Sequence, residues 1–181
     1  MNKYTLISKY GNREEVPFLI QNGREYISPH ISRTEFGQKD GTFTVVIYDP
    51  LIELFETVRG MIGKPIVISS GYRSREYQQK LYDEDIRRYG RPSGNVAKPG
   101  SSPHETGTAM DLFIPIGLQA KLFAELFTAA CVDLNIPLCR IGWKRYLGRG
   151  FIHVDLVPML FKPYTKVPNP HSQYWKAGLI W

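Results

Sequence analysis

The sequence is poor in cysteine: among 181 residues there are two, Cys131 and Cys139. Their spacing, with Pro137 between them, matches neither a metal knuckle nor a redox pair, so both are expected as thiols. Disulfide stapling is thereby excluded as the source of stability. Long apolar runs are missing too. No stretch approaches the roughly 18 residues of a spanning helix, and the opening MNKYTLISKYGNREE has no apolar core of a secretory signal. A membrane-spanning helix is not expected, and synthesis in the cytoplasm is. Internal repeats and low-complexity tracts are absent as well, which argues against solenoids and disordered linkers.

What is present is an ordinary globular composition, 43% hydrophobic and 22% charged, long enough to bury a core in one domain spanning residues 1–181. The net charge of +6 suits polyanions such as anionic wall polymers, nucleic acid or a membrane surface. Its densest patches are RRYGR at 87–91 and RIGWKRYLGRG at 140–150, and solvated loops account for them equally well. No nucleic-acid motif accompanies them.

Residues 1–40 are polar and broken by Pro17, Gly23, Pro29 and Gly37, which predicts short strands and loops wrapping the domain, with His30 structural. Asp49-Pro50 then starts a helix predicted over 50–61, with Leu51, Leu54, Phe55, Val58 and Ile62 on one face. The run IVIS at 66–69 reads as a buried strand, SGYRS as a turn, and Ser74 as the cap of a second helix with Tyr77, Leu81 and Tyr82 inward, ending at Gly90. RPSGNVAKPGSS, 91–102, is a loop. A strand over 108–114 and a helix over 118–134, striped by Leu118, Leu122, Leu126 and Ala130, follow. LCRIGW and FIHVDL form a strand pair joined by a basic loop, and from Pro158 a proline- and tryptophan-rich tail, 158–181, packs as coil. Because strands and helices segregate, the expected fold is α+β, an antiparallel sheet with helices on one side.

Chemistry concentrates in two stretches. In FIHVDL the strand period turns His153 and Asp155 to one face and Ile152, Val154 and Leu156 to the other. A buried imidazole and carboxylate each need a partner, and so does Asp111 inside AMDLFI. His104, Asp111 and His153 together make a donor set suited to zinc with a fourth position open to water, although a simple buried His–Asp pair explains them too.

The pattern S-x-H-x-x-G-x-A-x-D, here Ser102, His104, Gly107, Ala109 and Asp111, with SGYRS before it and F-I-H-V-D after it, resembles the D-alanyl-D-alanine carboxypeptidase family of zinc peptidases, in its branch ending in H-V-D. The resemblance runs from about Pro50 to Leu156. It implies the two-layer fold shared with hedgehog signalling domains and zinc held by His104, Asp111 and His153. It also implies Arg73 as a catalytic-site residue binding a substrate carboxylate or carbonyl, contacts from Ser102 and Gln78, and small residues at Gly107 and Ala109 for close packing. The pattern departs from the family where a glutamate serves as general base, since Gly150 stands there, and Phe151 replaces a histidine. Asp155 is then the first candidate for the base, or else a residue that orients an imidazole, with Glu105 and Tyr146 behind it. The expected function is zinc-dependent cleavage of peptidoglycan stem peptides or cross-links by a monomeric enzyme, and the missing signal suits a phage-encoded endolysin or wall-penetrating enzyme released by a holin or carried in a virion. The alternative is a non-catalytic zinc- or wall-binding module on the same fold.

Overall fold

The structure is a computed structural model, and it describes residues 2–136, 140–142 and 150–156. Cys139, Tyr146 and the tail 158–181 lie outside the described residues.

The centre is a four-stranded antiparallel sheet built from β7 (Ile68–Ser70), β8 (Ala109–Phe113), β9 (Arg140–Gly142) and β10 (Phe151–Asp155), in the order β7-β8-β10-β9. Alternation gives each strand two unlike faces. Met110, Leu112, Ile152 and Val154 are all fully buried in the hydrophobic cluster, whereas Asp111 and His153 point the other way.

Helix α2 (Asp49–Ile62) follows the Asp49-Pro50 signal and buries Leu51, Leu54, Phe55 and Val58, each worth ~1.5–3 kcal/mol when removed from water. Helix α4 (Ala120–Asp133) contributes Phe123, Ala124, Phe127, Ala130 and Cys131 to the same cluster. Of the expected stripe, Ala130 is buried and Leu118 and Leu126 pack partly against the cluster, but Leu122 is 47% exposed. The bulkier Phe123 and Phe127, stacked edge to face at 5.4 Å, take the core side because they remove more apolar surface.

Helix α3 (Arg75–Tyr89) is capped by Ser74, whose hydroxyl accepts from the Tyr77 N–H at 3.2 Å, and it ends at Gly90 as expected. Its inward face differs from the expectation. Gln78 and Asp85 are the buried residues, while Tyr77, Leu81 and Tyr82 are only half-buried.

The N-terminal 40 residues are more regular than their composition suggests. β1 (Lys3–Ile7) pairs antiparallel with β2 (Arg13–Pro17) and parallel with β6 (Val46–Tyr48), while β3 (Leu19–Gln21), β4 (Arg24–Ser28) and β5 (Ile31–Ser32) form a third sheet leading into the short α1 (Arg33–Phe36). Gly23 broke the apparent period because it occupies the turn between β3 and β4, while Gly37 ends α1. His30 ties this layer to α2, its ring 2.6 Å from the Glu56 carboxylate.

Candidate metal centre

Three segments converge on the polar face of the central sheet. β10 lies beside β8 in a register that sets His153 directly opposite Asp111. A short 3-10 turn, Pro103–Thr106, brings in His104, and it is seated by Gly107. A side chain there would collide with the Val46 carbonyl, and the backbone has φ +69, a left-handed conformation that favours glycine. The third segment is the SGYRS turn. An irregularity between β7 and β8 shifts Ser70 to face Asp111, and Gly71 presses so closely on Phe36 that no Cβ fits.

His104, Asp111 and His153 can each offer one ligand atom such that all lie within 4.8 Å of one another. Donors on a tetrahedral zinc ion ~2.0–2.1 Å away would stand about 3.4 Å apart. The observed separations are 3.6 Å from His104 Nε2 to Asp111 Oδ2 and 2.8 Å from His153 Nδ1 to Asp111 Oδ1. Two imidazoles and a carboxylate at this spacing fit zinc, and small adjustments suffice.

The tautomers agree with that fit. Because a carbonyl can only accept, His104 Nδ1–H donates to the Gly71 carbonyl at 2.7 Å, which leaves Nε2 turned toward Asp111. His153 Nε2–H donates to Asp155 Oδ2 at 3.0 Å, so its Nδ1 faces the centre. Burial, then the nearby Arg73 charge, pushes the His104 pKa down and keeps the ring neutral. Burial also opposes charge on His153, but hydrogen bonds to Asp111 and Asp155 overcome it and raise its pKa to about 9. Burial likewise disfavours the Asp111 carboxylate, yet the two histidines hold its pKa well below the usual range. The proton that His153 holds between two carboxylates sits where a bound cation would provide the positive charge.

Behind His153 lies a buried ion pair that the sequence reading missed. Arg140 Nε donates to Asp155 Oδ1 at 2.6 Å, and β9 and β10 set these two residues directly opposite each other. Arg140 had been grouped with a solvated basic patch; its place in LCRIGW, an otherwise apolar strand, was the available signal. Asp155 is 2% exposed, with one oxygen on Arg140 and the other on His153. Burial raises its pKa, but the hydrogen bond from His153 and the Arg140 charge pull it below the ordinary value.

The other expected site residues are also accounted for. Arg73 reaches Asp111 Oδ2 with Nη2 at 3.2 Å and is braced by Ser70 Oγ at 2.8 and 3.0 Å. Its backbone N–H donates to the His104 carbonyl at 3.2 Å, locking the two turns together. Gln78, expected to line the cleft, is 0% exposed: it accepts from Arg73 Nη1 at 3.3 Å and donates to the Ala97 carbonyl at 2.7 Å. It supports Arg73 from behind. Ser102 is buried at the head of the 3-10 turn, and its N–H donates to Glu105 Oε1 at 3.3 Å. Glu105 also accepts from the Gly100 N–H at 2.9 Å, so it is occupied in fastening its own loop. Gly150 lies in a turn, with φ +71.

The sequence profile of VanY, D-alanyl-D-alanine carboxypeptidase, matches residues 45–132. That stretch includes Arg73, Ser102, His104 and Asp111 and ends before β10. No curated protein matches the chain. Among solved structures, the L-Ala D-Glu endopeptidase ChiX of Serratia marcescens is 19% identical, with 60% of this chain and 79% of that one covered at a TM-score of 0.43. The LD-carboxypeptidase LdcB is 18% identical, with 62% and 71% covered at 0.40. The vancomycin-resistance D,D-pentapeptidase VanY, in complex with Zn(II), is 23% identical, with 46% and 58% covered at 0.38. This chain therefore spans less than two thirds of that VanY structure.

Proposed function

We propose, because residues 45–132 match the D-alanyl-D-alanine carboxypeptidase family, that the chain is a zinc peptidase that hydrolyses peptide bonds in peptidoglycan stem peptides or cross-links. The observation that carries this reading is the convergence of His104, Asp111 and His153, with ligand atoms within 4.8 Å of one another, beside the Arg73 guanidinium.

His104 Nε2, His153 Nδ1 and an Asp111 oxygen are the atoms that would hold zinc. When bound, the ion supplies Lewis acidity, activating water and polarising the amide carbonyl. The protein's own contribution is orientation. Gly71 and Asp155 each hold the far nitrogen of one imidazole, which orients the ring and turns the other nitrogen toward the metal position. Ser70 and Gln78 brace the Arg73 guanidinium, whose planar donors suit a substrate carboxylate or carbonyl. Ser102, next to His104, is assigned a substrate contact.

Of the two roles open to Asp155, we assign the orienting one, because both its oxygens are engaged behind His153 and it is sealed from solvent. Glu105 is committed to its loop. A missing general base costs on the order of 10²–10⁴ in rate, which slows hydrolysis without abolishing it. The turn at Gly150, where the family places its glutamate, favours a second reading, a zinc-holding wall-binding module without turnover. The net charge of +6 suits an anionic wall in both readings, and a phage-type lysis enzyme is the setting we assign to the first.

Digestion of purified peptidoglycan with and without a chelator tests the proposal, with products identified by mass. The expected outcome is a chelator-sensitive release of shortened or uncrosslinked peptides by the wild type and none by His153→Ala. Intact peptidoglycan after treatment with protein carrying one zinc would establish the binding module instead.

A further inference from the structure

Helix α3 differs from α2 and α4 in what it buries. Its buried residues, Gln78 and Asp85, lie seven positions apart, about two turns, and so share one face. Among the described residues, none from α3 belongs to the hydrophobic cluster. Both buried side chains serve the segment 91–102 instead. Asp85 accepts from the Ser93 N–H at 2.8 Å and the Ser93 hydroxyl at 2.6 Å, and Gln78 donates to the Ala97 carbonyl at 2.7 Å. Glu105 adds a third clamp at the Gly100 N–H. The segment is thus gripped at 93, 97 and 100, while Gly94, Asn95 and Lys98 between the grips are exposed.

These grips connect to the metal centre. The same Gln78 that holds Ala97 accepts from Arg73, and Arg73 lies 3.2 Å from Asp111. A buried carboxylate and amide are costly where leucine would pack a helix just as well. Their presence is explained if the position of this polar loop, rather than the packing of α3, is what must be defined.

Resting on the peptidase reading, we propose that Asp85 and Gln78 are positioning residues that fix the segment 91–102 as the wall of the substrate cleft beside Arg73, against which the acidic stem peptide binds. Lys98, exposed one residue from the Ala97 grip, supplies a cation on that wall.

The test measures binding of a synthetic stem pentapeptide to the zinc-loaded protein by calorimetry, alongside zinc content and the kcat and KM of cleavage. Asp85→Ala is expected to weaken binding and raise KM about tenfold, as loss of hydrogen bonds to a charged group does, while zinc stays bound. The kcat should remain within about twofold of wild type, because the wall acts on binding. Asp85→Asn, which retains an acceptor for the Ser93 N–H, is expected to fall between. Should Asp85→Ala fail to fold, Ser93→Ala carries the test, with about a threefold loss of affinity expected from one missing hydrogen bond. Unchanged peptide affinity in the folded variants overturns the proposal, as does a fall in kcat with KM unmoved. Wild-type protein that binds the peptide without cutting it overturns the peptidase reading and leaves this one standing; wild-type protein that binds none overturns both.

Discussion

The two faces of the central sheet are built from alternate residues of the same strands, yet they are held in different ways. On one face Met110, Leu112, Ile152 and Val154 join a cluster in which many neighbours share each contact. On the other, Asp111, His153 and Asp155 have named partners at fixed distances. Apolar packing is redundant and tolerates adjustment, whereas a buried polar network loses most when one member goes. The apolar face therefore contributes stability alone, whereas the polar face contributes stability and, in the proposed reading, the position of a metal.

The largest effect should come from breaking the polar face at its base. Asp155→Ala leaves the Arg140 charge buried and is expected to destabilise the fold by about 3–5 kcal/mol, measured by urea unfolding. It should also lower zinc affinity ~10–100-fold through the loss of the His153 brace, measured by chelator competition. Leu112→Ala, one residue from Asp111 on the same strand, should cost about 2–5 kcal/mol in the same unfolding experiment. Zinc affinity of the folded variant should be unchanged, and a parallel loss of zinc would erase the distinction between the faces. Gly107→Ala places a methyl against the Val46 carbonyl in a left-handed conformation and is expected to cost about 1–3 kcal/mol, with weakened zinc binding because His104 is carried by that turn. Smallest is Ser74→Ala, about 1 kcal/mol in thermal unfolding from the lost cap of α3, with zinc binding untouched.

The same contrast explains which parts of the protein could be read from the sequence. Helix α2 was legible because a proline start and a 3.6-residue stripe agree with its packing. The shared face of His153 and Asp155 was legible because strand alternation is strict. Helix α3 was misread, since periodicity looks for apolar residues and its buried face carries Gln78 and Asp85, whose partners come from a loop. In α4 two apolar stripes competed, and only the core's shape selects Phe123 and Phe127 over Leu122. The N-terminal strands are two to five residues long, too short for alternation to rise above their turns. At the site, the three proposed ligands were identifiable as residue types with an unmet need for partners. The roles of Gly71 and Arg140 depend on strand register and turn contacts between distant segments, which local spacing does not contain.

The most direct test is a crystal of the zinc-soaked protein measured at the zinc absorption edge. The account predicts one strong anomalous peak bounded by His104 Nε2, an Asp111 oxygen and His153 Nδ1, with Asp155 still on His153 Nε2. A peak elsewhere, or none between these three side chains at saturating zinc, would contradict it.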